Sequence, residues 1–418
     1  MKIKKLWVIF AAALLLRLSL IFIAYHGDLN NNISWATSAV EKGFNGFYER
    51  DNWDYSAPNQ PPLTILMFAA SRVAWQAVEN LSWWLNNRIA IFPSPFIWFW
   101  EARGMILLVK LPSILADLGI GWLIYKYFYK RDKGNLGMKL AAVWLFNPIT
   151  WYNSSIWGQT DSIVNLLGLL VTLGLLNKRL IWFSVFLTLS LLFKGSLAIF
   201  VPVLLLVAIF QKHSLKKWMQ AAVSSLGVVV LVSIWFHSQL NLISWFISLY
   251  KDRILPGEIG YLTANAFNFW WLVDSGKVLD GTWFFGLPAR VWGFLIAITG
   301  ILGVGFWLAK RKLTDRRIFL SLAIISVLAF LFMTRIHPRY LYPFFPYATI
   351  LLGFIPGLII PYATLTITHL INLYYLFWAP SFAPLEALYE FPFFAKTISV
   401  INILIFFYLL RHFRKSKL

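Results

Sequence analysis

The chain predicts an all-α polytopic integral membrane protein with about twelve transmembrane helices and two long extracytoplasmic loops that contain interfacial helices. Three observations carry this. Of 418 residues, 59% are hydrophobic and only 13% charged, with 22 Trp and 37 Phe, whereas a water-soluble domain carries about 25% charged residues. Apolar runs long enough to cross a bilayer core, roughly 20 residues each, recur along the whole sequence. The charges are also unevenly distributed between the loops that separate those runs.

The expected spans are 6–25, 104–125, 136–156, 161–177, 180–193, 196–210, 218–237, 289–309, 318–334, 341–360, 362–380 and 395–411. The first is too long for a signal peptide, carries Arg17 and lacks a small-x-small cleavage site. With both termini cytoplasmic, the basic clusters at 2–5, 126–139, 178–179, 212–217, 310–317 and 411–417 all fall inside. Together they hold 22 Lys and Arg against two acids, Asp132 and Asp315, which equals the entire net charge of +20. Such a bias is the ordinary signature of cytoplasmic loops, so a nucleic-acid partner is not required. The absence of cysteine excludes disulfides, a thiol nucleophile and thiolate metal sites.

The stretch 62–80 is apolar enough to suggest a further span, but Arg72, Gln76 and Glu79 recur on one helical face. Treating it as a span would also invert every later loop. It is therefore expected to lie on the outer surface. The whole chain, 1–418, then forms one domain, with outer loops at 26–103 and 239–288 and a C-terminal group of helices at 289–418.

Charges inside the spans need partners or a wet cavity. Asp117 lies about 12 Å from the inner end of its helix and Arg17 about 17 Å from the start of its own, at 1.5 Å per residue. The arginine stem covers that difference, so the two are expected to pair. Lys110 is left nearer the outer face. Lys194 interrupts an apolar stretch, 180–210, too long for one span and short for two. It is expected at the outer apex of two short helices, with its ammonium open to an anion.

Several outer residues are candidates for chemistry. Asp28 opens the first loop directly after the first span, and Trp53-Asp54-Tyr55 and Pro61-Pro62-Leu63 follow. Trp157-Gly158-Gln159-Thr160-Asp161 joins two spans; it reads either as an interfacial Trp with an Asp cap or as a polar cluster with an aromatic face. Asn265, Asn268 and Trp270 suit a sugar, whose hydroxyls bond amides and whose C–H face lies on a ring, and equally suit a surface helix. Arg335, His337 and Arg339 place two guanidinium groups on the outside, against the charge bias. Such forked groups match phosphate oxygens; the alternative is pairing with outer acids. No set of metal ligands stands out on the outer face, so no cofactor is expected.

Taken in order, Gly27-Asp28, Pro61-Pro62-Leu63, Lys110-Leu111-Pro112 with Ala116-Asp117, Asn147-Pro148, Trp157 to Asp161, Asn265 to Trp270 and His337 to Leu341 resemble the GT-C superfamily of membrane glycosyltransferases. The nearest likeness is to bacterial mannosyltransferases related to the second mannosyltransferase of GPI-anchor assembly; dolichyl-phosphate-glucose glucosyltransferases are similar in outline. The likeness spans roughly residues 1–345. Two features depart from it: Ser56 to Gln60 separate Asp54-Tyr55 from Pro61, and Pro338 follows His337 where an acid is usual.

The resemblance implies inverting transfer of a hexose, mannose foremost, from a polyprenyl-phosphate sugar to a lipid-linked or glycan acceptor hydroxyl. The reaction would take place on the extracytoplasmic side of the cell (plasma or inner) membrane, with membrane lipid as the surrounding partner. It implies Asp28 as general base. Arg335, His337, Arg339 and Lys194 would hold the donor phosphate, and Tyr55, Trp157, Gln159, Asp161, Asn265, Asn268 and Trp270 would bind sugar or acceptor or orient the base. A lipid-linked glycan flippase is the competing class, and a protein O-mannosyltransferase or polysaccharide ligase is a second enzyme alternative.

Overall fold

A helix that is apolar on every side belongs inside a bundle rather than on its surface, and the helix Asp315–Phe332 meets that condition: residues 317–331 are all buried. It is the centre of the computed structural model, which describes residues 2–254 and 260–415. Residues 255–259, in the loop expected on the outer side, and Lys417, among the cations expected in the cytoplasm, lie outside the described residues.

In chain order the helices are α1 (Lys2–Leu20), α2 (Asp28–Glu41), α3 (Pro62–Asn86), α4 (Ser94–Tyr129), α5 (Gly134–Leu145), α6 (Pro148–Trp151), α7 (Asp161–Leu176), α8 (Leu180–Phe193) and α9 (Val201–Phe210). They continue as α10 (Leu215–Ser233), α11 (Leu242–Leu249), α12 (Phe269–Val273), α13 (Ala289–Ala309), α14 (Asp315–Phe332), α15 (Phe344–Leu352), α16 (Ile359–Phe377), α17 (Ala383–Tyr389) and α18 (Phe394–Lys415). One two-stranded hairpin, β1 (Trp283–Phe284) with β2 (Leu287–Pro288), is the only sheet among the described residues.

The chain is thus an all-α membrane protein. By length and composition five helical stretches can cross a bilayer alone: Ser94–Tyr129, Leu215–Ser233, Ala289–Ala309, Pro356–Phe377 and Phe394–Phe413. Each of the other expected spans coincides with helix that is shorter, broken or, in α1 and α14, long enough but more highly charged. At 14 residues α8 rises about 21 Å, less than the roughly 30 Å of a hydrocarbon core. Lys194 follows it in extended conformation and a 3-10 turn leads into α9, the apex expected from the sequence. After α5 ends, Asn147 starts α6: its side chain accepts from the Ile149 N–H while Pro148 takes the first helical position, where a missing N–H costs nothing. A π-helical turn, Tyr152–Trp157, follows.

The second span is longer than hydropathy suggested. It begins at Ser94 rather than 104 and extends for 36 residues. Its first half packs antiparallel to α3, which also runs past 80 to Asn86. The Trp75 and Trp100 indoles each donate to the other's backbone carbonyl, at 3.1 and 3.0 Å. Gly104 lets the two rings lie against the helix, since a Cβ there would come within 2.8 Å of both. α2 lies along α3, fastened by Arg72 and Glu41 at 2.9 Å.

Inside the bundle, Arg17 and Asp117 pair at 3.1 Å, both fully buried. Asp117 also accepts from Ser154 at 2.7 Å and Tyr342 at 2.9 Å. Arg17 donates to the carbonyls of Ala13 and Leu145 and to Thr150. Every strong group in this network has a partner, which is the condition for tolerating buried charge.

Lys110 was expected higher and unassigned. It is fully buried with no carboxylate; its ammonium donates to four backbone carbonyls, those of Ile21, Ala24, Ser155 and Ile156, at 2.8–3.2 Å. It therefore ties the exit of α1 to the π-helical turn.

Candidate active site

The Lys110 fastening sets two chain segments side by side. One leads from α1 to Asp28, the other from the π-turn to Gln159. Between them Gly158 adopts φ +82°, and a Cβ there would approach the Lys110 stem to 2.9 Å, so both backbone conformation and space call for glycine.

Asp28 is the first residue of α2, where a carboxylate faces the positive end of the helix. Its own N–H donates to His26 Nδ1 at 3.0 Å, which leaves that nitrogen an acceptor. The carboxylate accepts from the Gln159 amide at 2.7 Å, and 41% of the side chain remains exposed. Burial pushes the Asp28 carboxyl up, but His26, Arg339 and Gln159 outweigh it and hold it well below the usual carboxylate range.

Gln159 is a two-ended bridge. Its amide nitrogen serves Asp28 and its carbonyl accepts from Arg339. Arg339 also donates through Nε to His337 Nδ1 at 3.2 Å, stands 4.0 Å from Asp161 and lies over the Trp157 ring at 5.2 Å. Asp161, at the start of α7, receives Lys194 at 2.6 Å and Asn153 at 3.3 Å. The result is a continuous polar chain, Asp28–Gln159–Arg339–Asp161–Lys194, built from four separate parts of the sequence.

His337 caps the 3-10 turn 338–341 by accepting from the Arg339 N–H at 3.3 Å. Two donors converge on its Nδ1, so the proton of the neutral ring sits on Nε2. Burial, followed by the Arg339 and Lys194 charges, pushes its pKa well down. An aromatic wall flanks the chain: Trp157 stacks on Phe377 at 5.5 Å, and the His26 ring meets both, at 5.3 Å from Trp157 and 4.9 Å from Phe377. The Trp157 indole N–H has no partner within the protein.

The structure thus brings together Asp28, Trp157, Gln159, Asp161, Lys194, His337 and Arg339. Lys194 was expected to be open to an anion; it is instead paired with Asp161, with only 13% of its side chain exposed.

Arg335 stands apart. Its guanidinium grips Asp280 at 2.6 and 3.2 Å, a contact that raises its pKa further. Its N–H donates to Tyr261. This is the pairing alternative, and it joins the 260–288 loop to the 334–341 loop.

Asn268 is fully buried, capping α12 through its carbonyl and donating to Phe330 O. The Trp270 indole donates to Phe332 O at 2.8 Å. Both side chains are committed to packing. Asn265, at φ +66°, is exposed, and its carbonyl accepts from Asn372. Tyr55 is 60% exposed, on the segment between α2 and α3 that Trp35 and Asn31 hold at Ser56.

Sequence reading did not single out His26, Asn153 or Phe377 for the site. Adjacency of His26 to Asp28 was the one available signal; Phe377 lies at the end of a span with nothing to mark it. Among the described residues no three His, Asp or Glu side chains gather closely enough to hold a metal ion. No family model and no curated protein matches the chain.

Proposed function

We propose that the chain is an inverting glycosyltransferase that moves a hexose, mannose foremost, from a polyprenyl-phosphate sugar to a lipid-linked or glycan acceptor hydroxyl. Its twelve helical segments cross the membrane with both termini cytoplasmic, and the site faces the extracytoplasmic side. The observation that carries the reading is the Gln159 bridge, which fixes a part-exposed carboxylate and a guanidinium side by side.

That pairing suits both ends of the displacement. The acceptor oxygen bonds to the anomeric carbon on one face while the bond from that carbon to the phosphate oxygen breaks on the other. The acceptor proton goes to Asp28, and the electron pair stays on the departing phosphate. This leaving group is already acidic and needs charge stabilisation rather than a proton. Arg339, backed by Lys194, is the nearest cation pair able to supply it. Neutral His337 offers an Nε2–H donor to the same oxygens without adding charge. Trp157 is fully buried, with Phe377 stacked on its ring and Arg339 over it, so it supports the site from behind, and part-exposed Phe377 offers a ring face of the kind that packs against a sugar's C–H face. Arg335, Asn268 and Trp270 take no part, because their polar groups are committed elsewhere.

The test is transfer by purified protein given a panel of radiolabelled polyprenyl-phosphate hexoses and membrane lipid acceptors. The reading expects a new glycosidic product with inverted anomeric configuration from one donor. Label that crosses a vesicle bilayer without a new glycosidic bond would mark a flippase instead. Glycosylated protein or polymer as product would mark a ligase or protein O-mannosyltransferase.

A further inference from the structure

His26 lies against Asp28, yet the proposed transfer step leaves its outer nitrogen unused. Its Nδ1 accepts the Asp28 N–H at 3.0 Å and stands 3.4 Å from the Asp28 carboxylate. Its backbone carbonyl accepts the Leu29 N–H, also at 3.0 Å. Ring and backbone thus close the first turn of α2, where N–H groups have no partner inside the helix. Trp157 and Phe377 flank the ring at 5.3 and 4.9 Å, so its orientation is fixed from two further directions.

Closing the helix turn occupies one nitrogen only. Because Nδ1 accepts, the neutral ring carries its proton on Nε2, and among the described residues no hydrogen bond uses that N–H. The side chain keeps 24% of its surface open. A short amide or hydroxyl side chain, the ordinary means of satisfying a helix start, would serve the Asp28 N–H equally well. The imidazole therefore offers something that the cap does not need.

Three part-exposed groups meet here: the Asp28 carboxylate, the His26 ring and the Phe377 ring. The ionised carboxylate only accepts, whereas the neutral imidazole supplies a donor beside it. A simple alcohol, from a lipid or a protein side chain, can use the carboxylate alone. A sugar can use all three, with one hydroxyl giving its proton to Asp28, the adjacent hydroxyl accepting from Nε2–H and the C–H face packing on Phe377. Apolar walls with a few fixed polar groups are the usual make-up of a small-molecule site. The cations suited to a phosphate lie towards the other end of the polar chain, Arg339 across Gln159 and Lys194 beyond Asp161.

We propose that His26 and Phe377, with Asp28, form the acceptor subsite, and that the acceptor is a sugar presenting two adjacent hydroxyl groups rather than a lipid alcohol or a protein hydroxyl. The inference rests on the transferase reading and narrows its acceptor.

The test offers the purified protein a long-chain alkyl hexoside, its monodeoxy analogues and a long-chain alcohol as acceptors, with the panel of polyprenyl-phosphate hexoses as donors. Wild type should glycosylate the hexoside and not the alcohol. Loss of the hydroxyl next to the attacking one should raise the acceptor KM about 10-fold, as for one lost hydrogen bond. His26→Asn keeps an oxygen for the Asp28 N–H and removes the Nε2–H donor. It should raise the acceptor KM for the intact hexoside about 10-fold with kcat and donor KM within about 3-fold, and the same deoxy analogue should then cost nothing further. Equal transfer to the alcohol, which needs no variant to measure, or an equal deoxy penalty in both proteins, would overturn the subsite and leave the transferase reading standing. No transfer from any donor to any acceptor would remove that reading and the subsite with it.

Discussion

Gln159 donates its amide to Asp28 at 2.7 Å while its carbonyl accepts from Arg339, so one neutral side chain sets the position of both the carboxylate and the cation. Replacing it by leucine removes a hydrogen bond to a charged group at each end. Such bonds are worth about 1.5–3 kcal/mol, and turnover in the transfer assay should fall about 10- to 100-fold in Gln159→Leu with the fold intact. Near wild-type turnover would mean that the bridge organises nothing the reaction uses.

Arg339 and Arg335 should behave differently although only four positions apart. Arg339→Ala removes a cation from the polar chain and should weaken donor use by about 1.5–3 kcal/mol. Arg335→Ala instead leaves Asp280, 4% exposed, without its partner. The pair is partly open to solvent on the arginine side, so the cost should be about 1–3 kcal/mol of stability, read as a lower unfolding temperature. Donor affinity should be retained. A double-mutant cycle with Asp280→Asn should show coupling in stability and none in donor affinity.

The fold and site were legible to different depths. Arg17 and Asp117 could be paired from helix depth alone, because a buried charge has few solutions and rise per residue is fixed. Lys194 could be placed at an apex because 180–210 has the wrong length for one or two spans. Its partner could not, since Asp161 is 33 positions away and nothing local distinguishes a paired ammonium from one awaiting an anion. The same holds for Arg335 and Asp280. Asn268 and Trp270 looked suited to a sugar because an amide beside an indole has the same composition whether it lines a cleft or caps a short helix. Lys110 was unreadable for a simpler reason: its partners are four backbone carbonyls, which every residue possesses. The N-terminal extension of α4 to Ser94 escaped because a hydropathy window ends where the sequence stops being apolar, not where the helix ends.

The Arg17–Asp117 pair should matter for folding rather than chemistry. Arg17→Met strands a fully buried carboxylate, a change of about 3–5 kcal/mol, and should sharply lower thermal stability in detergent. Asp117→Leu combined with it should restore part of that loss. A stable Arg17→Met protein would show that the network tolerates an unpaired charge.

His337 should make stability acid-sensitive. Its folded pKa lies well below 6.5, so between pH 6.5 and that value the unfolded chain binds a proton that the native protein does not. Stability is then full above about pH 7 and falls as pH drops, by up to about 1.4 kcal/mol per unit. His337→Asn keeps an acceptor for the Arg339 N–H and cannot titrate. Unfolding temperatures at pH 5, 6 and 7 should therefore fall less in the variant than in wild type, and parallel curves would contradict the assignment.

The proposed orientation rests on the 22 cations and two acids that it places in the cytoplasm. The chain has no cysteine of its own, and Ala90, in the exposed turn between α3 and α4, can be replaced by one without disturbing the core. In intact cells Ala90→Cys should react with a membrane-impermeant thiol reagent. Reaction only after permeabilisation would put the α3–α4 turn inside.

Asp28 is the central claim. Asp28→Asn keeps the size of the side chain and an oxygen to accept the Gln159 amide proton, but it cannot take a proton from an acceptor hydroxyl. Single-turnover transfer by wild type and Asp28→Asn, each preloaded with the donor that the panel identifies, isolates that step. The account predicts a rate lower by roughly 10²–10⁴-fold with donor affinity within about 3-fold of wild type. A folded Asp28→Asn protein that transfers sugar at the wild-type rate would falsify it.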